Sequence, residues 1–132
     1  MEATEAVDRG NGVLYLYGNY AGDVMNFKIA AQLAVAEGIR VETVLIWDDV
    51  ASAPPEEREK RRGIAGLIPI VKLAGAAADQ AKDLDELVKL VTNARDNTRS
   101  VGMALAPGSI PATGKATFEL NEDSIGVGMG IH

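Results

Sequence analysis

The residues able to do chemistry fall into four short stretches. The first is Gly18-Asn19-Tyr20-Ala21-Gly22-Asp23, directly after an apolar run. A glycine-rich loop that opens a helix presents backbone N–H groups to a polar ligand. A carboxylate at Asp23 repels phosphate there, but it accepts a hydroxyl proton and so activates the oxygen of a polyol or keto-sugar. The same aspartate also reads as a plain helix cap. The second stretch, Asp48-Asp49, has the residue types of a metal site or an acid/base pair. Neighbours in sequence point in different directions, so a solvated strand-to-loop turn is the preferred reading. The third, Arg61-Arg62-Gly63, is an anion-binding step at a helix start or, as preferred, a surface position.

The fourth stretch is Ile125-Gly126-Val127-Gly128-Met129-Gly130-Ile131-His132, in which residue types alternate strictly. As a strand, its period of two puts Gly126, Gly128, Gly130 and His132 on one face. A face bared by glycines admits a ligand or another backbone. At its head stands the single histidine of the chain, a candidate base, metal ligand or nucleophile, or simply a chain end. The glycine spacing is not a dinucleotide fingerprint, and no Gly-x-x-x-x-Gly-Lys-Ser/Thr loop occurs. No phosphate-donor site is therefore recognisable in this chain.

Alternating strand and helix patterns supply the frame, and they predict an α/β fold of βαβ type: a layered sheet with helices, and a second β-rich portion beginning at the C-terminus. A strand is predicted at Val13 to Tyr17, then a helix from Asp23, as N-cap, to Glu37, stopped by Gly38. A second strand runs from Val41 to Trp47. The polar segment Ala51 to Arg62 is a long loop with one charged helical turn. A helix from Ile64 to Ala78 follows, kinked by Pro69 or truly starting there. Another spans Leu84 to Thr98, capped by Asp83 with Glu86 at capping-box spacing. A third strand is predicted at Val101 to Ala106, and short ones at Ala116 to Leu120 and Ser124 to Ile131. Residues 1–100 form the α/β portion, and 101–132 the strands leading to the histidine. Parallel strands would bring Gly18 to Asp23, Asp48-Asp49 and Pro107 to Ser109 to one crevice, beyond their carboxyl ends.

Composition narrows the function. Among 132 residues 47% are apolar, enough to fold, and only 5% are aromatic, which suits packed layers more than a platform for bases. A net charge of −6 argues against nucleic acid and anionic membrane as partners. The absence of cysteine removes disulfides and thiolate metal sites, and no metal site is predicted. The acidic start and the lack of a long apolar run predict a cytoplasmic protein.

Taken in order, these stretches resemble the substrate-binding kinase subunit or domain of the dihydroxyacetone kinase family. The resemblance is carried by Val13 to Asp23 with Asn26-Phe27, by Asp48-Asp49-Val50-Ala51, by Arg61 to Gly66 and by Lys72 to Ala78. It continues through Ile110 to Lys115, Phe118-Glu119-Leu120 and Gly128 to His132. The resemblance implies that His132 attacks a ketone carbonyl to form a hemiaminal, selecting ketones and aldehydes over glycerol. It also implies that Asp23 lies beside the hydroxyl that receives phosphate, with Gly18 and Gly22 at the substrate. The implied partners are a small keto-sugar and a nucleotide-binding subunit or domain that holds ATP or ADP with Mg²⁺, this chain binding no cofactor itself. A homodimer is also implied.

Three departures qualify the resemblance. The family's Gly-Gly-Gly-Ser-Gly-His-Glu-Pro segment has no counterpart here, and the family continues past the Gly-Ile-His motif. Gly18 stands where a lysine often precedes Asn-Tyr, leaving room for a four-carbon ketose such as erythrulose. The expectation is a fragment of a kinase, inactive alone. A non-catalytic keto-sugar sensor on the same fold is the alternative.

Overall fold

The acidic start, which carried no helix prediction, forms a short helix, α1 (Glu2–Val7), in a computed structural model that describes residues 1–130. Its buried Thr4 hydroxyl shares a 2.6 Å hydrogen bond with the Tyr15 hydroxyl. The two apolar runs then become β1 (Val13–Gly18) and β2 (Val41–Ile46), joined by the helix α2 (Ala21–Ala36). The strands pair in parallel, Val13 opposite Val41 and Gly18 opposite Ile46, as a helical crossover requires.

Alternation along the strands sorts their side chains between two layers. Leu14, Leu16, Val44 and Ile46 face the helices α3 (Leu67–Ala78) and α4 (Leu84–Asn97), whose Ile70, Ala74 and Val91 complete the buried core. Tyr15 and Tyr17 face α2. There the Phe27 ring stacks on Tyr17 with centroids 4.2 Å apart and meets Tyr15 edge-on at 5.4 Å. Three of the six aromatic residues are thus spent on one layer contact.

Most helix ends follow the chemistry of their sequences. Gly38 takes φ +82°, and the N–H groups of Gly38 and Ile39 donate to the carbonyls of Val35 and Ala34, which closes α2 in a Schellman motif. Asp83 caps α4 by accepting from the Glu86 N–H at 2.8 Å, while the Glu86 carboxylate accepts from the Lys82 N–H. Pro69 marks the start of α3 rather than a kink. It is the third helical residue, in the turn whose N–H groups have no intrahelical partner. The charged segment forms short 3₁₀ turns over Pro55–Lys60, interrupted by a kink at Glu57.

Three predictions are corrected. Asp23 is not the cap of α2. The helix begins two residues earlier, after Tyr20, and Asp23 lies in its first turn, where its charge still complements the helix dipole. The strand predicted at Val101 to Ala106 shrinks to β3 (Met103–Ala104), with Ser100 adding a single parallel bridge to Asp49. Of the two C-terminal strands only β4 (Gly126–Val127) forms, antiparallel to β3, and Ala116 makes one bridge to Ser109. Gly128 at φ +83° leaves the β region and ends the alternation. Leu105, Ile110, Ile125 and Val127 remain exposed, so this region lacks the burial that would hold longer strands. The predicted end of the last strand, Ile131, and His132 lie outside the described residues.

The core assignment makes a direct prediction. Ile46→Ala, at a fully buried position, lowers unfolding stability by about 2–5 kcal/mol in urea titration. Leu105→Ala, at a site 82% exposed, stays within about 0.5 kcal/mol of the parent.

Candidate functional site

The carboxyl ends of β1 and β2 are bound together by the segment 59–66, which crosses over them. Asn19 extends the ladder through its N–H to the Ile46 carbonyl, and its side-chain amide donates to the carbonyls of Glu59 and Arg61, both at 2.8 Å. The Tyr20 hydroxyl donates to the Gly63 carbonyl at 2.7 Å. Gly63 has no space for a side chain, because a Cβ would lie 2.5 Å from the Ile46 carbonyl oxygen and 2.7 Å from the Gly18 Cα.

Beneath this segment, Asp48 and Asp49 are buried, at 1% and 0% exposure. The solvated turn expected for them is therefore corrected. They do point in different directions. Asp48 accepts from the N–H groups of Ile64 (3.0 Å) and Gly66 (2.8 Å) and from the Ser100 hydroxyl. It thereby holds the start of α3, and a Cβ on Gly66 would press on its carboxyl carbon at 2.5 Å. Asp49 takes the Arg62 guanidinium on Oδ2, at 2.7 Å from Nη2 and 3.0 Å from Nε, and the Ala51 N–H on Oδ1.

The surface reading of Arg61 and Arg62 is corrected as well, because Arg61 is buried and Arg62 is half-buried in an ion pair. Arg61 is 6% exposed and donates to the Ala53 carbonyl, and Arg62 spends its charge on Asp49. Burial explains both outcomes, since a desolvated carboxylate is tolerated only with its lone pairs satisfied.

The predicted site residues are placed as follows. Gly18 is buried at the end of β1, and a Cβ there would lie 3.1 Å from the Tyr20 ring. Gly22 and Asp23 are exposed on the first turn of α2, and nothing lies within 4 Å of where a Gly22 Cβ would be. The Asp23 charge reaches two phenols. Burial first and Asp23 second push Tyr17 above its usual range. Tyr20 is also raised, first by burial, with Arg62 opposing and Asp48, Asp49 and Asp23 adding to the rise. His132 lies outside the described residues. The approach to it is described, and Gly128 is tied to this site by a 2.9 Å hydrogen bond from Arg62 Nη2 to its carbonyl.

Two of the three strand-end stretches therefore meet at the site. The third, Pro107 to Ser109, does not. It sits in an exposed hairpin closed by the Ser109–Ala116 bridge and a Thr117 N–H to Gly108 carbonyl bond. Ser100 and Gly102 take its place, and no sequence signal singled them out.

A family model, that of the Dak1 domain, matches residues 1–132. The dihydroxyacetone-binding subunit of a PTS-dependent dihydroxyacetone kinase (kinase 2) from Listeria innocua is 52% identical over 130 residues, covering 98% of this chain and 39% of that protein. An L-erythrulose 1-kinase from Mycolicibacterium smegmatis is 43% identical over 125 residues, covering 95% of this chain and 22% of that one. The crystal structure of the dihydroxyacetone kinase of C. freundii superposes with a TM-score of 0.87 at 35% identity, over 99% of this chain and 24% of that one. The chain belongs to the dihydroxyacetone kinase family and corresponds to part of its Dak1 domain. It spans well under half the length of these relatives.

The Asp48 contacts predict its weight in the fold. Asp48→Ala strands two backbone N–H groups and the Ser100 hydroxyl, and costs about 3 kcal/mol or more of unfolding stability. Chemical denaturation measures this loss, and Asp23→Ala, on the exposed turn, stays within about 0.5 kcal/mol in the same assay.

Proposed function

We propose that this chain is the keto-sugar-binding part of a dihydroxyacetone-type kinase and captures its substrate covalently on His132. The observation that carries the reading is the 52% identity, over 98% of the chain, to a protein named as a dihydroxyacetone-binding subunit. The described geometry is compatible with it. A glycine-containing loop and an exposed carboxylate open a helix at the carboxyl ends of parallel strands, where α/β proteins bind ligands.

In this reading an imidazole nitrogen of His132 adds to the ketone carbon, the C=O π electrons move to oxygen, and that oxygen takes up a proton. The product is a hemiaminal that retains every atom of the sugar. Glycerol has no such electrophilic carbon. Asp23 then accepts the proton of a terminal hydroxyl as its oxygen attacks the phosphorus of the donor. Catalysis is otherwise a matter of positioning and charge stabilisation. The phosphate donor, a nucleotide with Mg²⁺ or a phosphorylated carrier protein, belongs to a partner subunit or domain. Asp48 and Asp49 do not fit as ligands for that metal, because their oxygens are already engaged by N–H groups, Ser100 and Arg62.

The identity to an L-erythrulose 1-kinase favours a second substrate, a four-carbon ketose, within the same chemistry. Native mass spectrometry distinguishes these cases. The chain is expected to gain the full mass of dihydroxyacetone or erythrulose, to gain nothing with glycerol, and to lose the gain in His132→Ala. In the kinase assembled with its donor-bearing partner, Asp23→Ala is expected to keep the adduct and lose about 100- to 10,000-fold in turnover. Full turnover in that variant contradicts the role of Asp23. An adduct without any transfer in the assembled parent makes the protein a ketose sensor instead.

A further inference from the structure

The glycine run that leads to His132 does not lie open, as its sequence suggests, but is fastened to an ion pair between half-buried Arg62 and buried Asp49. Arg62 Nη2 stands 2.7 Å from Asp49 Oδ2 and donates to the Gly128 carbonyl at 2.9 Å, so one nitrogen joins the two. Asp49 is fully buried, and its other oxygen is held by the Ala51 N–H at 3.1 Å. The Arg62 backbone is fixed too, because its N–H donates to the Ser52 hydroxyl and its carbonyl accepts the Asp49 N–H.

On the far side of the run, the Gly102 carbonyl accepts from the N–H groups of both Gly128 (2.8 Å) and Met129 (3.2 Å). The glycines are needed for this fastening. A Cβ on Gly130 would fall on the Arg62 guanidinium, and one on Gly102 would fall on the Met129 carbonyl. Gly128 adopts φ +83°, which side-chain-bearing residues rarely take.

The geometry points to Arg62, locked by Asp49, as a positioning residue that sets the backbone of Gly128–Gly130 and through it the presentation of His132 to the ketone. The inference rests on the reading that His132 is the attacking group. The guanidinium is held on Asp49 through Nη2 and Nε and bonds the Gly128 carbonyl once, so the described backbone leading to His132 is restrained where it passes Arg62. A lysine keeps the charge but not the rigid fork. Arg62 touches no substrate in this account, so its loss should slow capture without weakening the prior encounter with the sugar.

The test uses the whole chain with Arg62→Gln, Arg62→Lys and the double variant Asp49→Asn/Arg62→Gln, which leaves no unpaired buried charge. Ligand-free ¹⁵N NMR follows the amides of Gly128 and Gly130, and time-resolved native mass spectrometry follows dihydroxyacetone capture at several concentrations. The double variant should unfold cooperatively, show displaced Gly128 and Gly130 amides, and capture ketone up to about 100-fold more slowly at saturation with an unchanged half-saturating concentration. Arg62→Lys should recover part of the rate. Capture at the parental rate, or a loss that appears only in the half-saturating concentration, overturns the inference. If the parent captures no ketone, the functional reading fails. The NMR arm then decides the clamp alone: unmoved glycine amides refute it, and displaced ones support it.

Discussion

Two adjacent buried carboxylates govern the carboxyl end of this sheet. Asp48 and Asp49 have almost no contact with solvent, so every lone pair they offer must meet a donor within the chain. Those donors come from three places remote in sequence: the segment 61–66, the bridge at Ser100 and the backbone just past Asp49 itself. Meeting that requirement fixes the start of α3, the path of the crossing segment and, through Arg62, the approach of Gly128.

A division of labour between acidic residues follows. The pair whose types most suggest chemistry is consumed by structure, its oxygens engaged by N–H groups, Ser100 and Arg62. Asp23 is left accessible, on the first turn of α2 beside an unobstructed Gly22. Its environment is polar and open, and its charge acts on Tyr17 and Tyr20 at the strand ends. The region that binds the frame and the exposed region proposed to face a ligand are thus adjacent but chemically distinct. That arrangement lets a site be rigid below and exposed above.

Much of the frame was legible in the sequence because local rules decide it. Short apolar runs gave β1 and β2. Gly38 and Asp83 gave the stop of α2 and the start of α4, and in each case the backbone geometry expected of the residue type is present. The start of α2 was misread because Asp23 is a good cap in isolation, whereas the hydrogen bonding of Asn19 and Tyr20 to the crossing segment sets where the chain turns. The β-rich end was over-predicted for a related reason. Alternation between residues 125 and 131 promises a strand, but Gly128 turns out of the β region to reach Gly102 and Arg62, and strands also need partners. Burial of Asp48, Asp49 and Arg61, and the pairing of Arg62 with Asp49, are tertiary facts. One clue was available, since acidic and basic pairs at a strand end and a loop end can neutralise each other.

The account stands or falls on covalent capture at the head of the glycine run. Dihydroxyacetone labelled with ¹³C at its carbonyl carbon, mixed with the folded chain, tests this directly by ¹³C NMR. The account predicts a new protein-bound signal in the range of tetrahedral carbon bearing nitrogen and oxygen, absent with His132→Ala and retained with Asp23→Ala. A bound ligand whose labelled carbon keeps its ketone or hydrate shift, or the same tetrahedral signal in His132→Ala, contradicts it.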